Sequence, residues 1–385
     1  MTTFEAFQQY VNERWNYELV ARSWKEDGRK VVGYLDVNSP EELIIAAGCR
    51  PLLMTGDPDS TTERGERYLD RGANFLVRHL YEAILTGRYH FVDVICCTGG
   101  DKWLSNAYGF VGTEKVLDPS LKVGEVYYNE RLRGTFKQHR DYNRDRLLDF
   151  KAYLEQYTGK KITDEALSEA ISITNETRSL LMQLSELRKA DTPYVSGCEA
   201  LTIIMASMFI PKAEYNAMLK RLLDNELSTL SGKDSPKTRL FLSGSNVDNL
   251  QLYELLESLP VVIVGEDTSF GDRYFETLID TTLEPMEALA DRYTYKPLDP
   301  WMYGRANRIR YKAQAALSAN AQAEVFFHIK YDDVVGWDYP DQKKELEKHG
   351  IPVLVFEEQP YKIINSDEIK NKTRAFLDTI SARKE

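Results

Sequence analysis

The chain has 385 residues, of which 43% are hydrophobic and 28% are charged, and this balance excludes a disordered protein and a small disulfide-stapled scaffold. Its formal net charge of −11 repels phosphate backbones and anionic lipids, so neither nucleic acid nor a membrane is predicted as a partner. The start has no apolar leader, no run approaches the ~18 apolar residues of a membrane span, and the cysteines are too sparse for a disulfide framework, so we expect a cytoplasmic protein.

In the first third of the chain, the spacing of apolar residues predicts helices alternating with short buried strands. An apolar stripe over residues 3–25 predicts one amphipathic helix at the start. Ser39, Pro40 and Glu42 predict the start of another helix, with Ser39 as the N-cap and Glu42 completing a capping box. A longer helix is predicted over 64–87. The strands of this part are predicted at 30–37, 51–57, 91–100 and 124–130.

The rest of the chain divides into a helical stretch and a second αβ series. Residues 132–189 carry apolar side chains three and four apart, which predicts a helical arm. A helix opened by Ser196 and Glu199, and another over 212–230, then follow. The strands of this series are predicted at 239–244, 260–267, 324–331 and 351–358.

This alternation predicts an α/β fold of two Rossmann-like, doubly wound parallel-sheet domains with helical additions. The first domain is expected over 1–194, including the arm at about 132–189, and the second over 195–385. The cleft between the two sheets is the expected active site.

Six loops follow the carboxyl ends of predicted strands, where doubly wound sheets place their functional residues. Several are rich in Gly, Ser and Asp, which suits backbone binding of a phosphate or carbonyl but also suits plain turns. No GxGxxG, GxSxG, HExxH or CxxC motif occurs, so a dinucleotide enzyme, a hydrolase or a zinc site has no local support. The loops span 38–42, 55–59, 96–102, 243–249, 266–272 and 331–337.

Several segments, taken together, resemble one protein family. Residues 33–57 resemble the N-terminal signature of the 2-hydroxyacyl-CoA dehydratase and benzoyl-CoA reductase subunits, in which a strand is followed by P-x-E-L-I and an A-A-G turn. The resemblance spans almost the whole chain and implies two Rossmann-like domains in a subunit that pairs as a heterodimer. The agreement continues, in the order and at about the spacing of the family, through 85–95, 196–201, 209–215, 261–275 and 326–357.

The resemblance also implies a cofactor and partners. A typical subunit of this family holds a 4Fe–4S cluster between its domains through three cysteines, and an ATP-driven activator supplies a low-potential electron. This sequence departs from that pattern, because Asn74 stands where the first cysteine is expected and Asp332 where the last is expected. Cys97 is a weak candidate for a surviving ligand. We therefore expect the cluster on a homologous partner subunit and no metal or cofactor on this chain.

Two functions of different class follow from the resemblance. In the first, the chain is the cluster-free subunit of a heteromeric acyl-CoA dehydratase or aromatic acyl-CoA reductase of anaerobic metabolism, and it shapes the pocket for a CoA-thioester substrate. In the second, the chain is a stand-alone CoA-thioester-binding protein, or a non-redox acyl-CoA hydratase or lyase. A co-purifying homologue with three cysteines favours the first function, and a stable homo-oligomer favours the second.

The site residues are predicted chiefly on the strand-end loops. Glu42 matches the recurrent acid of the family and is expected to act as a general acid/base at the thioester, with burial raising its pKa. As the capping-box partner of Ser39, it would instead have a structural role. The residues expected to contact the substrate or CoA are Ser39, Asn74, Lys102, Ser243, Ser245, Asn246, Asp267, Arg273 and Asp332.

Overall fold

Two four-stranded parallel sheets form the centre of the fold. The computed structural model describes residues 1–67, 69–99, 102–231, 237–296 and 300–382, without the side chains of 102, 107 and 108. The strands Val31–Tyr34, Val94–Thr98 and Val261–Asp267 are buried along their whole length, as parallel sheets covered by helices on both faces require. The α/β class predicted from the sequence is confirmed.

Both sheets have the same doubly wound strand order. The first sheet contains β1 (Val31–Tyr34), β2 (Arg50–Leu53), β3 (Val94–Thr98) and β4 (Glu125–Asn129), in the spatial order β2-β1-β3-β4. The second contains β5 (Thr238–Gly244), β6 (Val261–Asp267), β7 (Ala323–Ile329) and β8 (Val353–Gln359), in the order β6-β5-β7-β8. The strand order reverses beside β1 in one sheet and beside β5 in the other, and ligands of such sheets bind at the carboxyl ends next to these switch points.

Helices cover the sheets and fill the connections between them. Short 3-10 turns lie at Gly65–Arg67, Leu227–Thr229 and Asp272–Tyr274, and a π turn lies at Leu222–Glu226. The α-helices of the described residues are α1 (Thr3–Asn12), α2 (Tyr17–Val20), α3 (Arg22–Glu26), α4 (Glu41–Ala46), α5 (Phe75–Leu85), α6 (Lys102–Leu117), α7 (Lys137–Thr158), α8 (Asp164–Lys189), α9 (Gly197–Ala206), α10 (Lys212–Arg221), α11 (Gln251–Glu257), α12 (Pro285–Tyr295), α13 (Arg305–Ser318), α14 (Asp333–Lys348) and α15 (Ser366–Ser381).

Two predicted helices are shorter in the structure, because in each an extended asparagine interrupts the predicted helix and caps a new helix that begins after it. The predicted helix over 3–25 is broken into α1, α2 and α3, since the side chain of Asn16 caps α2 by accepting a hydrogen bond from the backbone of Glu18 at 3.1 Å. The predicted helix over 64–87 has its α-helical part only in α5, since Asn74 is extended and caps that helix. Apolar spacing alone did not reveal these two caps.

The helical arm holds the two sheets together. The helix α7 packs against α12, and α8 packs against both α4 and β6. On α8, the buried Arg188 donates from Nη1 to Oε1 of Glu266, at the end of β6, over 2.8 Å. These contacts fix one sheet relative to the other. The boundary between two domains near residue 194 stays a prediction. Within the described residues, no helix combines the length and the apolar content that a membrane crossing needs.

Candidate active site

A cavity opens between the carboxyl ends of the two sheets, and the empty space between its walls, counted together with the open solvent at its mouth, is about 830 Å³. Its walls come from the segments after β1, β5, β6 and β7 and from the start of α5 and α14. This position beside the switch points suits a small-molecule ligand. The lining residues are Leu35, Asp36, Val37, Asn38, Asn74, Leu76, Val77, Leu104, Gly244, Asn246, Ser269, Phe270, Pro300, Trp301, Ile329, Asp332 and Val335.

Three of the residues predicted to contact the substrate line this cavity: Asn74, Asn246 and Asp332. Asn74 caps α5, because its Oδ1 accepts a hydrogen bond from the backbone of Val77 at 2.9 Å. Asn246 Oδ1 accepts a hydrogen bond from the backbone of Ser269 at 2.8 Å, which ties the loop after β5 to the loop after β6. Asn74 and Asp332, which stand where the family resemblance expects cysteines, therefore face the same cavity.

Four other predicted contact residues lie outside the cavity lining, and each has a protein partner. Asp267 and Arg273 form a buried ion pair, with Oδ1 and Nε 2.5 Å apart. Ser245 Oγ accepts a hydrogen bond from the backbone of Ile329 at 2.9 Å. Ser243 donates to a buried glutamate of β7. These contacts stabilise the carboxyl ends of the strands, and a role of the four residues in CoA binding stays a prediction.

The helix start predicted at Ser39 differs in the structure. The helix α4 has Pro40 as its N-cap and no side-chain capping bond, so the predicted capping box is wrong. Ser39 Oγ lies 2.7 Å from Oγ1 of Thr98, at the end of β3, and this contact holds it away from the helix. The side chain of Lys102, the remaining predicted contact residue, lies outside the described part of the chain.

Glu42 is fully buried and is not among the residues that line the cavity. Arg178 donates from Nη2 to Glu42 Oε1 at 2.5 Å, and the hydroxyl of Tyr293 donates to Oε2 at 2.7 Å. Burial opposes ionisation, but the Arg178 guanidinium and the hydrogen bonds outweigh burial and lower the pKa of Glu42 below its ordinary value. The raised pKa expected from the sequence is wrong in direction, and Glu42 is ionised at neutral pH.

The neighbouring Glu41 extends this ion pair into a buried cluster. Glu41 Oε2 lies 3.0 Å from the Lys212 ammonium, and its Oε1 accepts a hydrogen bond from the hydroxyl of Tyr274 at 2.8 Å. The hydroxyl of Tyr293 also lies 3.1 Å from the carbonyl oxygen of Ser39. The cluster thus connects α4 to α8, α10 and α12 and fixes the backbone that follows the cavity-lining segment 35–38.

Two cations that the sequence analysis missed support the loop after β1. Lys296 donates from Nζ to the carbonyl oxygen of Val37 at 3.2 Å. Burial, together with the nearby Arg292, lowers the pKa of Lys296 to about 7. Arg131 donates from Nη1 to Asn38 Oδ1 at 3.4 Å. Lys296 follows a helix, and Arg131 follows the predicted strand 124–130, whose following loop was not among the six considered, so the sequence analysis connected neither residue with the loop after β1.

The polar groups that line the cavity are carboxylates, amides and a hydroxyl, and no described lysine or arginine is among them. The helices α5 and α14 both begin at the cavity, and a helix N-terminus carries partial positive charge. Apolar surface is supplied by Leu76, Phe270 and Trp301 among others. The arrangement can pack an acyl group against the apolar side chains and accept its carbonyl oxygen near the helix ends.

An iron–sulfur cluster does not fit the donors at this cavity. The side chains of Asn74 and Asp332 present amide and carboxylate groups where a cluster requires thiolates. Cys97 is 1% exposed, is not among the lining residues, and burial raises its thiol pKa well above the ordinary value. Within the described ranges, no group of three or more His, Cys, Asp or Glu residues is placed to hold a metal ion.

Comparison with known proteins relates the whole chain to one family. A family model described as 2-hydroxyglutaryl-CoA dehydratase, D-component, matches residues 36–380. The chain is 23% identical over 387 residues to the (R)-phenyllactyl-CoA dehydratase beta subunit of Clostridium sporogenes, covering 98% of each chain. It is 22% identical to the beta subunit of (R)-2-hydroxyglutaryl-CoA dehydratase of Acidaminococcus fermentans, over 86% of this chain and 87% of the relative. It is 27% identical to a benzoyl-CoA reductase subunit of Thauera aromatica, over 72% of each chain.

Proposed function

This chain belongs to the 2-hydroxyglutaryl-CoA dehydratase D-component family, and from that membership we propose that it is the cluster-free subunit of a heteromeric acyl-CoA dehydratase or aromatic acyl-CoA reductase. The observation that carries the proposal is the cavity between the sheets, where Asn74 and Asp332 occupy the positions of the expected cysteines. A homologous partner subunit, which carries the 4Fe–4S cluster, completes the enzyme. The relatives named above are themselves subunits of dehydratases and of a reductase that act on CoA thioesters.

In this proposal, the chain binds and orients the CoA thioester. The apolar side chains of the cavity pack on the acyl group and exclude water, and the thioester carbonyl lies near the N-termini of α5 and α14. A 4Fe–4S cluster on the partner would supply the low-potential electron chemistry, with an ATP-dependent activator as the source of the electron. The chain works in the cytoplasm, where its cysteines stay reduced.

Iron analysis with and without the partner tests this function. Purified alone without oxygen, the chain is expected to carry less than about 0.5 iron per chain, because the donors at its cavity lack thiolates. Co-expressed with a homologue that has the three cysteines, it is expected to form a heterodimer with about four irons and equal acid-labile sulfide. About four irons on the lone chain would contradict the proposal. A stable homo-oligomer that does not bind the homologue would favour the stand-alone CoA-thioester protein.

We propose further that Glu42 positions the loop after β1 instead of exchanging a proton with the substrate. Glu42→Gln keeps the shape of the side chain but removes its charge, which weakens the hydrogen bonds from Arg178 and Tyr293. We therefore expect the kcat of the reconstituted complex to fall about tenfold or more. Arg178 lowers the pKa of Glu42, so the titration of Glu42 does not produce the acidic limb of the pH profile of kcat/KM. We therefore expect the variant to keep that limb. Loss of that limb in the variant would instead assign Glu42 the role of general acid/base.

A further inference from the structure

The walls of the candidate active-site cavity are mostly apolar, and this limits the kind of acyl group that the cavity can hold. Leu76 and Val77 come from the first turn of α5, and Val335 comes from the first turn of α14. Phe270 and Trp301 add aromatic rings. Walls of this kind bind methyl, methylene and ring groups by removing their surface from water.

Within the described residues, no lysine or arginine side chain lines the cavity. Lys296 and Arg131 contact the loop after β1 without reaching the lining, and Lys296 donates to the backbone carbonyl oxygen of Val37 at 3.2 Å. The guanidinium carbon of Arg133 lies 4.8 Å from the ring centre of Trp301, and Arg133 is not a lining residue either. A ligand carboxylate inside the cavity therefore meets no cation from this part of the chain.

The charged side chains that do line the cavity are carboxylates. Asp36 lies in the loop after β1, and Asp332 is the N-cap residue of α14. A ligand carboxylate between them would be repelled by both, and the repulsion grows where water is excluded. The other polar lining side chains offer hydrogen bonds but no full positive charge, and they are Asn38, Asn74, Asn246 and Ser269.

An acyl group that ends in a carboxylate would lose water of hydration in this cavity without gaining a cation. Burying an ionised carboxylate without a partner costs far more free energy than burying an apolar group of the same shape. The N-termini of α5 and α14 carry partial positive charge, but in the proposed function they contact the oxygen of the thioester carbonyl. The charge at the far end of the acyl group therefore decides whether it fits.

We propose that this cavity selects CoA thioesters whose acyl group ends in an uncharged apolar substituent, such as a branched alkyl group or an aromatic ring, over those that end in a carboxylate. The inference rests on the proposed function, since it requires the acyl group to enter this cavity, and it adds the class of substrate. Leu76, Phe270 and Val335 pack on the apolar end. Asp36 and Asp332 act against a further negative charge.

Calorimetric titration of the full chain with 5-methylhexanoyl-CoA and glutaryl-CoA tests the selection, with free CoA as the reference. The two thioesters share one methylene chain and differ only at its end, where one has an isopropyl group and the other a carboxylate of similar shape. Neither has the 2-hydroxyl group that a dehydratase removes. We expect 5-methylhexanoyl-CoA to bind at least about tenfold more tightly than glutaryl-CoA and free CoA.

Two variants test whether the charge of this cavity causes the preference. Leu76→Arg places a cation at a half-buried lining position, and it is expected to strengthen glutaryl-CoA binding at least about tenfold. Asp332→Asn removes one lining carboxylate and is expected to narrow the preference at least about threefold. Glu347→Gln, which removes an exposed carboxylate from the last turn of α14, is the matched control and should leave both affinities unchanged. Circular dichroism shows whether each variant is folded.

The possible results separate this inference from the proposed function. Equal affinities, or tighter binding of glutaryl-CoA to the unchanged chain, would overturn the selection and leave the acyl-CoA function standing. A preference that persists in full in both Leu76→Arg and Asp332→Asn would also overturn it, because the acyl group would then bind elsewhere. If neither thioester binds to the chain or to its complex with the homologous partner, the proposed function is contradicted and this inference is lost with it.

Discussion

Replacing Arg178 with methionine is expected to destabilise the protein by about 3–5 kcal/mol at pH 7, the usual cost of leaving a buried charge without its partner. Glu42 is 0% exposed, and Arg178 is the cation that contacts it, at 2.5 Å. After the substitution Glu42 keeps the hydrogen bond from Tyr293, and it must either stay ionised without a cation or take up a proton. Urea unfolding followed by circular dichroism measures the change in the free energy of unfolding.

The same substitution at Arg22 is the matched control for Arg178→Met. Arg22 forms ion pairs with Glu18 and Glu26 on an exposed surface, where water and salt screen the charges and the pairs add little to stability. The effect of Arg178→Met should also depend on pH. The folded-state pKa of Glu42 lies below its ordinary value of 4.5, so its stabilisation is present above that value and is lost as the pH falls through the lower folded-state pKa. A loss under about 1 kcal/mol at pH 7 would show that the protein tolerates the unpaired carboxylate.

The strands of this fold could be predicted from the sequence because their signal is local. A parallel strand covered on both faces is a short continuous apolar run bounded by turn residues. Each of the eight strands in the described part of the chain overlaps a predicted one. The helix ends were harder to predict, because at Asn16 and Asn74 a single N-capping side chain decides where within an apolar stripe a helix begins.

The candidate site could be predicted only in part, because its contacts join distant segments. Ser39 and Glu42 have the spacing of a capping box, but the partner of Glu42 is Arg178, 136 residues away. Glu42 therefore belongs to a buried ion pair that no local sequence pattern reveals. Trp301 reaches the cavity from a segment without any strand signal, so the strand-end rule did not select it. Asn74 and Asp332 both line the cavity, and the family resemblance aligned both with ligand positions, while their role toward a substrate stays a prediction.

Filling the candidate active-site cavity is expected to abolish catalysis with little effect on the fold. Val335 lies on the first turn of α14, is 7% exposed and lines the cavity beside Asp332. Val335→Trp places an indole in the space that the acyl group needs, so we expect turnover of the reconstituted complex to fall at least about 100-fold. Overpacking at such a site costs about 1–3 kcal/mol, which leaves the chain folded.

Lys344→Trp is the control for Val335→Trp, because it adds the same ring to α14 where the side chain is 73% exposed. Steady-state kinetics with activator, ATP and a 2-hydroxyacyl-CoA or aromatic acyl-CoA measure turnover, and size-exclusion chromatography checks that the partner still binds. If Val335→Trp keeps both its fold and its partner but loses turnover, the substrate occupies the cavity between the sheets. If its turnover stays within about twofold of the control, the substrate binds elsewhere, since a ring of this size cannot share the cavity with an acyl group.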